Sequence, residues 1–243
     1  MTLPPLVRTA LLLDLDGTLL DIAPTPDGVM VPPGLTETLR GLPHRLDGAL
    51  AIVTGRPIEI VDSLLDDAVP AVAGEHGGAM RPARDAPVER PFLKPPPEAW
   101  LTRAAALAAN HPGVLLERKA RGFGLHFRLA PEAGPAIHAD LTALLAGSAD
   151  FEVMQGLMLW EVRPRGVDKG HAVTSLMRLP RFHGRLPVFI GDDVTDEDGM
   201  RAACAMGGNG LRVQDWFGGP AGVRAWLQTS NAAGEWAPFP RPV

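Results

Sequence analysis

Short apolar runs punctuate the chain, each stopping at a polar or glycine-rich turn. They are Ala10 to Leu13 before Asp14-Leu15-Asp16-Gly17-Thr18, Ala49 to Val53 before Thr54-Gly55-Arg56, Ala71 to Ala73 before Gly74-Glu75-His76-Gly77-Gly78, and Val188 to Ile190 before Gly191-Asp192-Asp193. Runs that are apolar at every position, with no alternation, predict strands buried on both faces of a parallel sheet. Helical stretches lie between or after them. Pro33 to Gly41 opens with Pro and closes with Gly, Pro57 to Leu65 follows a Thr-Gly turn, and Asp168 to Leu179 stands behind an acidic capping candidate. Strand and helix in alternation predict an open α/β sheet with ligands at the carboxyl ends of its strands.

The middle of the chain breaks this rhythm. A Pro-rich passage from Arg81 to Pro97 leads into a helical stretch over Glu98 to Asn110 and an alternating strand over Gly124 to Arg128. A second helix is predicted over Pro131 to Leu145, with strands over Phe151 to Met154 and Met158 to Val162. This reads as a small α+β unit at residues 83–164, inserted into a core made of residues 1–82 and 165–243. The tail Pro238-Phe239-Pro240-Arg241-Pro242-Val243 is predicted to fray.

Composition narrows the function. Hydrophobic residues make up 46% and charged residues 21% of the 243 positions, which excludes a disordered chain. A net charge of -5 with no block of like charge argues against a nucleic-acid partner. Every long apolar stretch is broken by Pro, Gly or charge, so no membrane span is predicted. Cys204 has no second cysteine to pair with, and the N-terminus lacks a secretory pattern, so the expected location is the cytoplasm.

The chemistry is concentrated where the apolar runs end. Asp14 and Asp16 stand at i and i+2 of an extended segment, so both carboxylates project to one side, and Gly17 lets the chain turn beside them. Together they could hold a hard cation such as Mg²⁺, beside which Asp14 could attack phosphorus while Asp16 moves a proton. Read alone, the same pentapeptide could also be a solvated acidic turn. The carboxylates of Gly191-Asp192-Asp193-Val194-Thr195-Asp196-Glu197-Asp198 repel one another unless a cation or a lysine offsets them. Asp192 is expected as a direct metal ligand, with Asp193 assisting. Asp196 is expected to do little more than cap the next helix, with Glu197 and Asp198 in its first turn. Thr54-Gly55-Arg56 offers a hydroxyl and backbone N–H groups to an anion, and Lys169 offers a positive charge to both phosphate and nucleophile.

The order DLDGT, TGR, Lys169, GDDVTDED resembles the four motifs of the haloacid dehalogenase-like (HAD) phosphatase superfamily, and the insert matches the position of its type IIB cap. More narrowly, Gly74 to Gly77, Leu116 to Lys119, Leu125 to Arg128, Trp160 to Pro164 and Gly191 to Asp198 look like the trehalose-6-phosphate phosphatase family. The resemblance implies a Rossmann-like α/β core with a smaller α+β cap, and a Mg²⁺-dependent phosphatase acting on a small phosphorylated disaccharide. It implies Asp14 as nucleophile, Asp16 as general acid/base, and Thr54, Gly55 and Lys169 as phosphate holders. Metal contacts would come from Asp14, the Asp16 backbone carbonyl, Asp192 and Asp193. Lys119, Arg128, Glu161 and Arg163 of the cap would meet sugar hydroxyls, with Arg56 and His76 also near the substrate. The chain is taken as a monomer.

The family often has an aromatic residue at the positions of Leu15 and Phe127. Neither departure removes a charged group, although altered packing could shift the preferred sugar. The competing readings are a capped phosphatase for another sugar phosphate, such as sucrose phosphate or mannosylglycerate phosphate, a catalytically silent phosphosugar sensor, and a mutase.

Overall fold

The computed structural model describes residues 2–25, 28–90, 95–119 and 121–240. The chain divides into two compact units. The first comprises Met1–Ala23, Gly28–Glu89 and Asp168–Val243, and the second Pro24–Asp27 and Arg90–Val167.

A six-stranded sheet organises the first unit. Its strands are β1 (Thr9–Leu13), β2 (Leu50–Val53), β3 (Ala71–Gly74), β4 (Ala79–Arg81), β9 (Leu186–Gly191) and β10 (Asn209–Arg212), in the order β10-β9-β1-β2-β3-β4. All neighbours are parallel except β3 and β4, which run antiparallel at one edge. Strand alternation explains why the runs are apolar throughout. Leu11, Leu13, Ile52, Val72 and Ile190 face a core shared with α1 (Leu35–Arg45), α2 (Ile58–Leu65) and α8 (Pro220–Ala233). Ala10, Leu12, Ala51, Val53, Ala73 and Phe189 face the other way, onto α5 (Lys169–Leu176) and α6 (Asp196–Ala205). Each fully buried Leu on these faces contributes about 2 kcal/mol over an exposed one. The short helix α7 (Val213–Phe217) follows β10.

Two expectations for this unit change. Helix α1 does not stop at Gly41 but runs through it and Pro43 to Arg45, because Leu35, Leu39 and Leu42 keep one apolar stripe against the sheet. The tail is also docked as far as Phe239. Trp236 stacks on Trp226 at 4.8 Å and its Nε1 donates to the Pro4 carbonyl at 2.7 Å, while Phe239 packs against Trp216, Phe217 and Trp226. Residues 241–243 lie outside the described residues.

The second unit is a two-layer α+β fold. Strands β5 (Leu115–Lys119), β6 (Gly122–His126), β7 (Phe151–Gly156) and β8 (Leu159–Pro164) form an antiparallel sheet in the order β5-β6-β8-β7. Helices α3 (Glu98–Asn110) and α4 (Gly134–Leu144) cover one face, meeting Phe123, Leu125, Phe151 and Val162. Its contact boundaries are residues 90 and 167, where the sequence suggested 83 and 164. At the first junction Met80 and Glu89 exchange backbone hydrogen bonds of 2.8 and 2.7 Å, tying residues 80–89 to β4. At the second, Arg165 N donates to the Asp150 carbonyl at 2.9 Å, holding the chain to β7 beyond the end of β8. Part of the Pro-rich passage, residues 91–94, lies outside the described residues. Among the described residues no helix is long and apolar enough to cross a membrane.

Candidate active site

The carboxyl ends of β9, β1, β2 and β3 lie side by side, so Asp192, Asp14, Thr54 and Glu75 each begin the turn that follows a strand of one parallel sheet. Asp14 is buried. Its backbone N–H donates to the Ile190 carbonyl at 2.9 Å, extending the sheet register one residue past β1. Its Oδ2 accepts from Thr18 Oγ1 at 3.2 Å and its Oδ1 from Lys169 Nζ at 2.6 Å.

Lys169 is the first residue of α5, behind Asp168, whose side chain caps the helix by accepting from the His171 N–H at 2.7 Å. Its buried ammonium is shared, because Nζ also lies 2.6 Å from Asp196 Oδ1. Asp196 has no exposed surface, and its Oδ2 accepts the backbone N–H groups of Asp192 and Asp193, each at 3.0 Å. Asp196 therefore does far more than begin α6: it joins the lysine to the turn after β9. Sequence reading undervalued it, although its spacing of four from Asp192 was the available signal.

The carboxylates of Asp14, Asp192 and Asp196 lie within 4.8 Å of one another. Three acids against one lysine leave an uncompensated negative charge. Burial raises the Asp14 carboxyl well above the ordinary aspartate range, and Asp196 adds to this while Lys169 opposes it. Burial likewise pushes Asp192 up to about 6, with the Asp196 and Asp193 charges helping. The same two carboxylates, Asp14 and Asp196, outweigh burial to raise Lys169 above the ordinary lysine value, so it stays charged. Asp192 Oδ1 is buried and accepts no hydrogen bond. An orphaned carboxylate oxygen inside an excess of negative charge suits a divalent cation.

Two glycines make this packing possible. Gly17 has φ +78°, and a Cβ there would fall 2.1 Å from Asp192 Oδ2. A Cβ on Gly191 would fall 2.3 Å from Asp196 Cγ. Any side chain at either position would displace a carboxylate of the cluster.

Asp16 and Asp193, both expected near a metal, keep their carboxylates outside this cluster. Asp16 is held by Arg56, with Nε 2.6 Å from Oδ2 and Nη2 2.8 Å from Oδ1. Asp193 turns its Oδ1 onto the Val194 N–H at 2.6 Å. Thr54 is buried, and its Oγ1 accepts the Arg56 N–H at 3.2 Å, which shapes the turn containing Gly55. His76 lies beside that turn and donates its backbone N–H to the Thr54 carbonyl at 2.9 Å.

In the second unit, strand register aligns Glu117, Gly124 and Glu161 across β5, β6 and β8, on the sheet face away from α3 and α4. Lys119 and Arg163 share that face. Lys119 Nζ bonds Glu161 Oε1 at 2.8 Å, with both side chains buried, and Arg163 Nε donates to Glu152 Oε1 at 3.1 Å. Arg128 lies beyond β6 and donates to the Leu157 carbonyl at 3.4 Å. Glu117 pairs with His126 at 2.8 Å, a polar contact sequence reading missed even though Glu117 sits two residues before Lys119 on the same strand face.

A family model for trehalose-phosphatase matches residues 12–210, most of both units. The chain belongs to the trehalose-phosphatase family. A probable trehalose-phosphate phosphatase of Sinorhizobium fredii is 40% identical over 205 residues, covering 84% of this chain and 77% of the relative. The trehalose-6-phosphate phosphatase of Escherichia coli is 32% identical over 231 residues, covering 90% and 85%. Among solved structures, the C-terminal domain of C. albicans trehalose-6-phosphate phosphatase superposes with a TM-score of 0.76 at 21% identity, covering 93% of each chain. As a trehalose-phosphatase family member, the chain is a phosphatase with the haloacid dehalogenase-like fold.

Proposed function

We propose that the chain hydrolyses trehalose 6-phosphate to trehalose and inorganic phosphate through a phosphoryl group carried on Asp14, with Mg²⁺ as cofactor. The observation that carries this reading is the buried Lys169 ammonium bonded to Asp14 and Asp196 at 2.6 Å each, beside the orphaned Asp192 Oδ1. A carboxylate oriented by a buried ammonium, and ionised where a cation offsets the charge of the cluster, is a competent nucleophile toward phosphorus. The relatives from Sinorhizobium fredii and Escherichia coli, both trehalose-phosphate phosphatases by name, support the substrate.

Asp14 and Asp192 would hold the cation, with the Asp16 backbone carbonyl completing the protein's share and Asp193 steadying the turn. When bound, Mg²⁺ offsets the charge of the cluster and of the phosphoryl oxygens. Lys169 orients Asp14, and Asp196 fixes Lys169. Thr54 and Gly55 meet the phosphoryl oxygens together with Lys169. Asp16 delivers a proton to the departing sugar oxygen and later accepts one from the attacking water.

The sugar would meet Lys119, Glu161, Arg163 and Arg128, with His76 at the phosphate end. Phosphate release from trehalose 6-phosphate, sucrose 6-phosphate and glucose 6-phosphate, with Mg²⁺ and with EDTA, tests the proposal. Preference for trehalose 6-phosphate that EDTA abolishes is expected. Preference for another sugar would discard the reading of the second unit, and release that survives EDTA would discard the cofactor.

A further inference from the structure

Asp14 and Asp16 are two residues apart at one strand end, so a divalent cation held by the cluster would attract both carboxylates. Only Asp14 joins Asp192 and Asp196 within 4.8 Å; the Asp16 carboxylate does not. Arg56 accounts for the separation. Its guanidinium meets both oxygens of Asp16, and the two side chains retain 13% and 36% of their exposure, so the fork is largely withdrawn from solvent while an edge of the carboxylate stays accessible. A two-point fork fixes the orientation of a carboxylate in a way a lysine cannot.

The backbone that carries Arg56 is braced in turn. The Arg56 N–H bonds Thr54 Oγ1, the Arg56 carbonyl accepts from the Glu75 N–H at 3.1 Å, and the Thr54 carbonyl accepts from the His76 N–H. Glu75 and His76 both have left-handed backbones, φ 52° and 55°, and both are buried. Such conformations cost on the order of 1–2 kcal/mol per non-glycine residue and persist where the surroundings over-determine them. Here the strained pair aims two N–H groups at the turn holding Arg56.

We infer that Arg56 is a positioning residue, braced by the Glu75–His76 turn, which keeps the Asp16 carboxylate out of the acidic cluster and aimed at the leaving oxygen of the substrate. The inference rests on the proposed role of Asp16. It reassigns Arg56 from the substrate contact that the family resemblance implied. In the first step an Asp14 oxygen bonds to phosphorus as the bond from phosphorus to the sugar oxygen breaks. That oxygen keeps the electron pair and takes the Asp16 proton. In the second, water bonds to phosphorus, its proton passes to Asp16, and the bond from phosphorus to Asp14 breaks, returning the Asp14 carboxylate and free phosphate. A misaligned Asp16 harms the first step most when the leaving oxygen is strongly basic.

The test is kcat/KM for phosphate monoesters of increasingly basic leaving groups, from p-nitrophenyl phosphate to a simple alkyl phosphate and trehalose 6-phosphate. It compares wild type with Asp16→Asn, Arg56→Gln and Arg56→Lys. Asp16→Asn is expected to lose about 10²–10⁴-fold in kcat/KM on the alkyl esters and a smaller factor on p-nitrophenyl phosphate, which departs without a proton, while kcat falls on every ester because the second step needs Asp16 as base. Arg56→Gln should show the same leaving-group dependence at about a tenth of the size or more, with Arg56→Lys between it and wild type. Wild-type circular dichroism and thermal unfolding would show that the variants are folded. If Asp16→Asn is steep and both Arg56 variants keep the wild-type dependence, the inference fails and the Asp16 role stands. A loss confined to trehalose 6-phosphate would make Arg56 a sugar contact and overturn the inference. An unchanged dependence in Asp16→Asn would overturn both the role and the inference.

Discussion

Lys169 Nζ lies 2.6 Å from Asp14 Oδ1, and both side chains are almost wholly withdrawn from solvent. Lys169→Met removes the positive group from between Asp14 and Asp196, leaving two buried acids unpaired. The metal-free protein should lose about 3–5 kcal/mol of stability, and turnover should fall by at least about 10²-fold. Urea unfolding and phosphate release measure the two effects. Wild-type stability in this variant would mean that Lys169 does not hold the cluster together.

Asp14→Asn tests the covalent route. The amide has the same shape and no charge to desolvate, so the metal-free fold should be at least as stable as wild type. Phosphate release should drop by about 10³-fold or more. Acid-quenched wild-type enzyme examined by mass spectrometry should carry a phosphoryl adduct that the variant lacks. Substantial turnover by Asp14→Asn would remove the acyl-phosphate from the mechanism.

Cation binding should be visible as stability. Free Mg²⁺ at about 100 times its dissociation constant adds about 2.7 kcal/mol to the folded state. Thermal unfolding with Mg²⁺ and with EDTA should therefore separate in wild type and converge in Asp192→Asn. An equal Mg²⁺ shift in both proteins would take Asp192 out of the ligand set.

Glu117 should leave a pH signature in the second unit. Burial works to raise its carboxyl, but the His126 hydrogen bond and the Lys119 charge outweigh this and hold it below the ordinary glutamate value of 4.5. A carboxyl whose folded value is depressed contributes stability above the unfolded value and loses it as pH falls through the folded one. Glu117→Gln should therefore melt below wild type at about pH 6, with the gap closing toward about pH 3. A gap independent of pH would mean that Glu117 acts through packing alone.

Docking of the tail predicts that Trp236→Ala lowers stability by about 2 kcal/mol, since it removes the stack on Trp226 and the bond to the Pro4 carbonyl. Chemical denaturation should show this while phosphate release below the transition stays unchanged. A silent substitution would mean that the stack contributes nothing to folding.

The core sheet was legible in the chain because a strand covered on both faces must be apolar at every position, and the runs ending at Leu13, Val53, Ala73 and Ile190 meet that demand. Strand ends carrying Asp14, Thr54 and Asp192 were legible for the same reason, since polar residues can begin only where the burial stops. Edge elements were harder to read. Strand β10, Asn209–Arg212, buries only Leu211 fully, and its place in the sheet comes from parallel pairing with β9.

The sequence by itself determined the alternation of strand and helix, the inserted unit and the polar residue types gathered at the strand ends, since each is written in local pattern and spacing. Only the tertiary structure decided how the charges divide. Asp196 stands 27 residues from Lys169, and Arg56 stands 40 from Asp16, yet each pair is in direct contact. A carboxylate's role depends on which cation is nearest, and that distance is set by how strands and turns pack, not by their order along the chain.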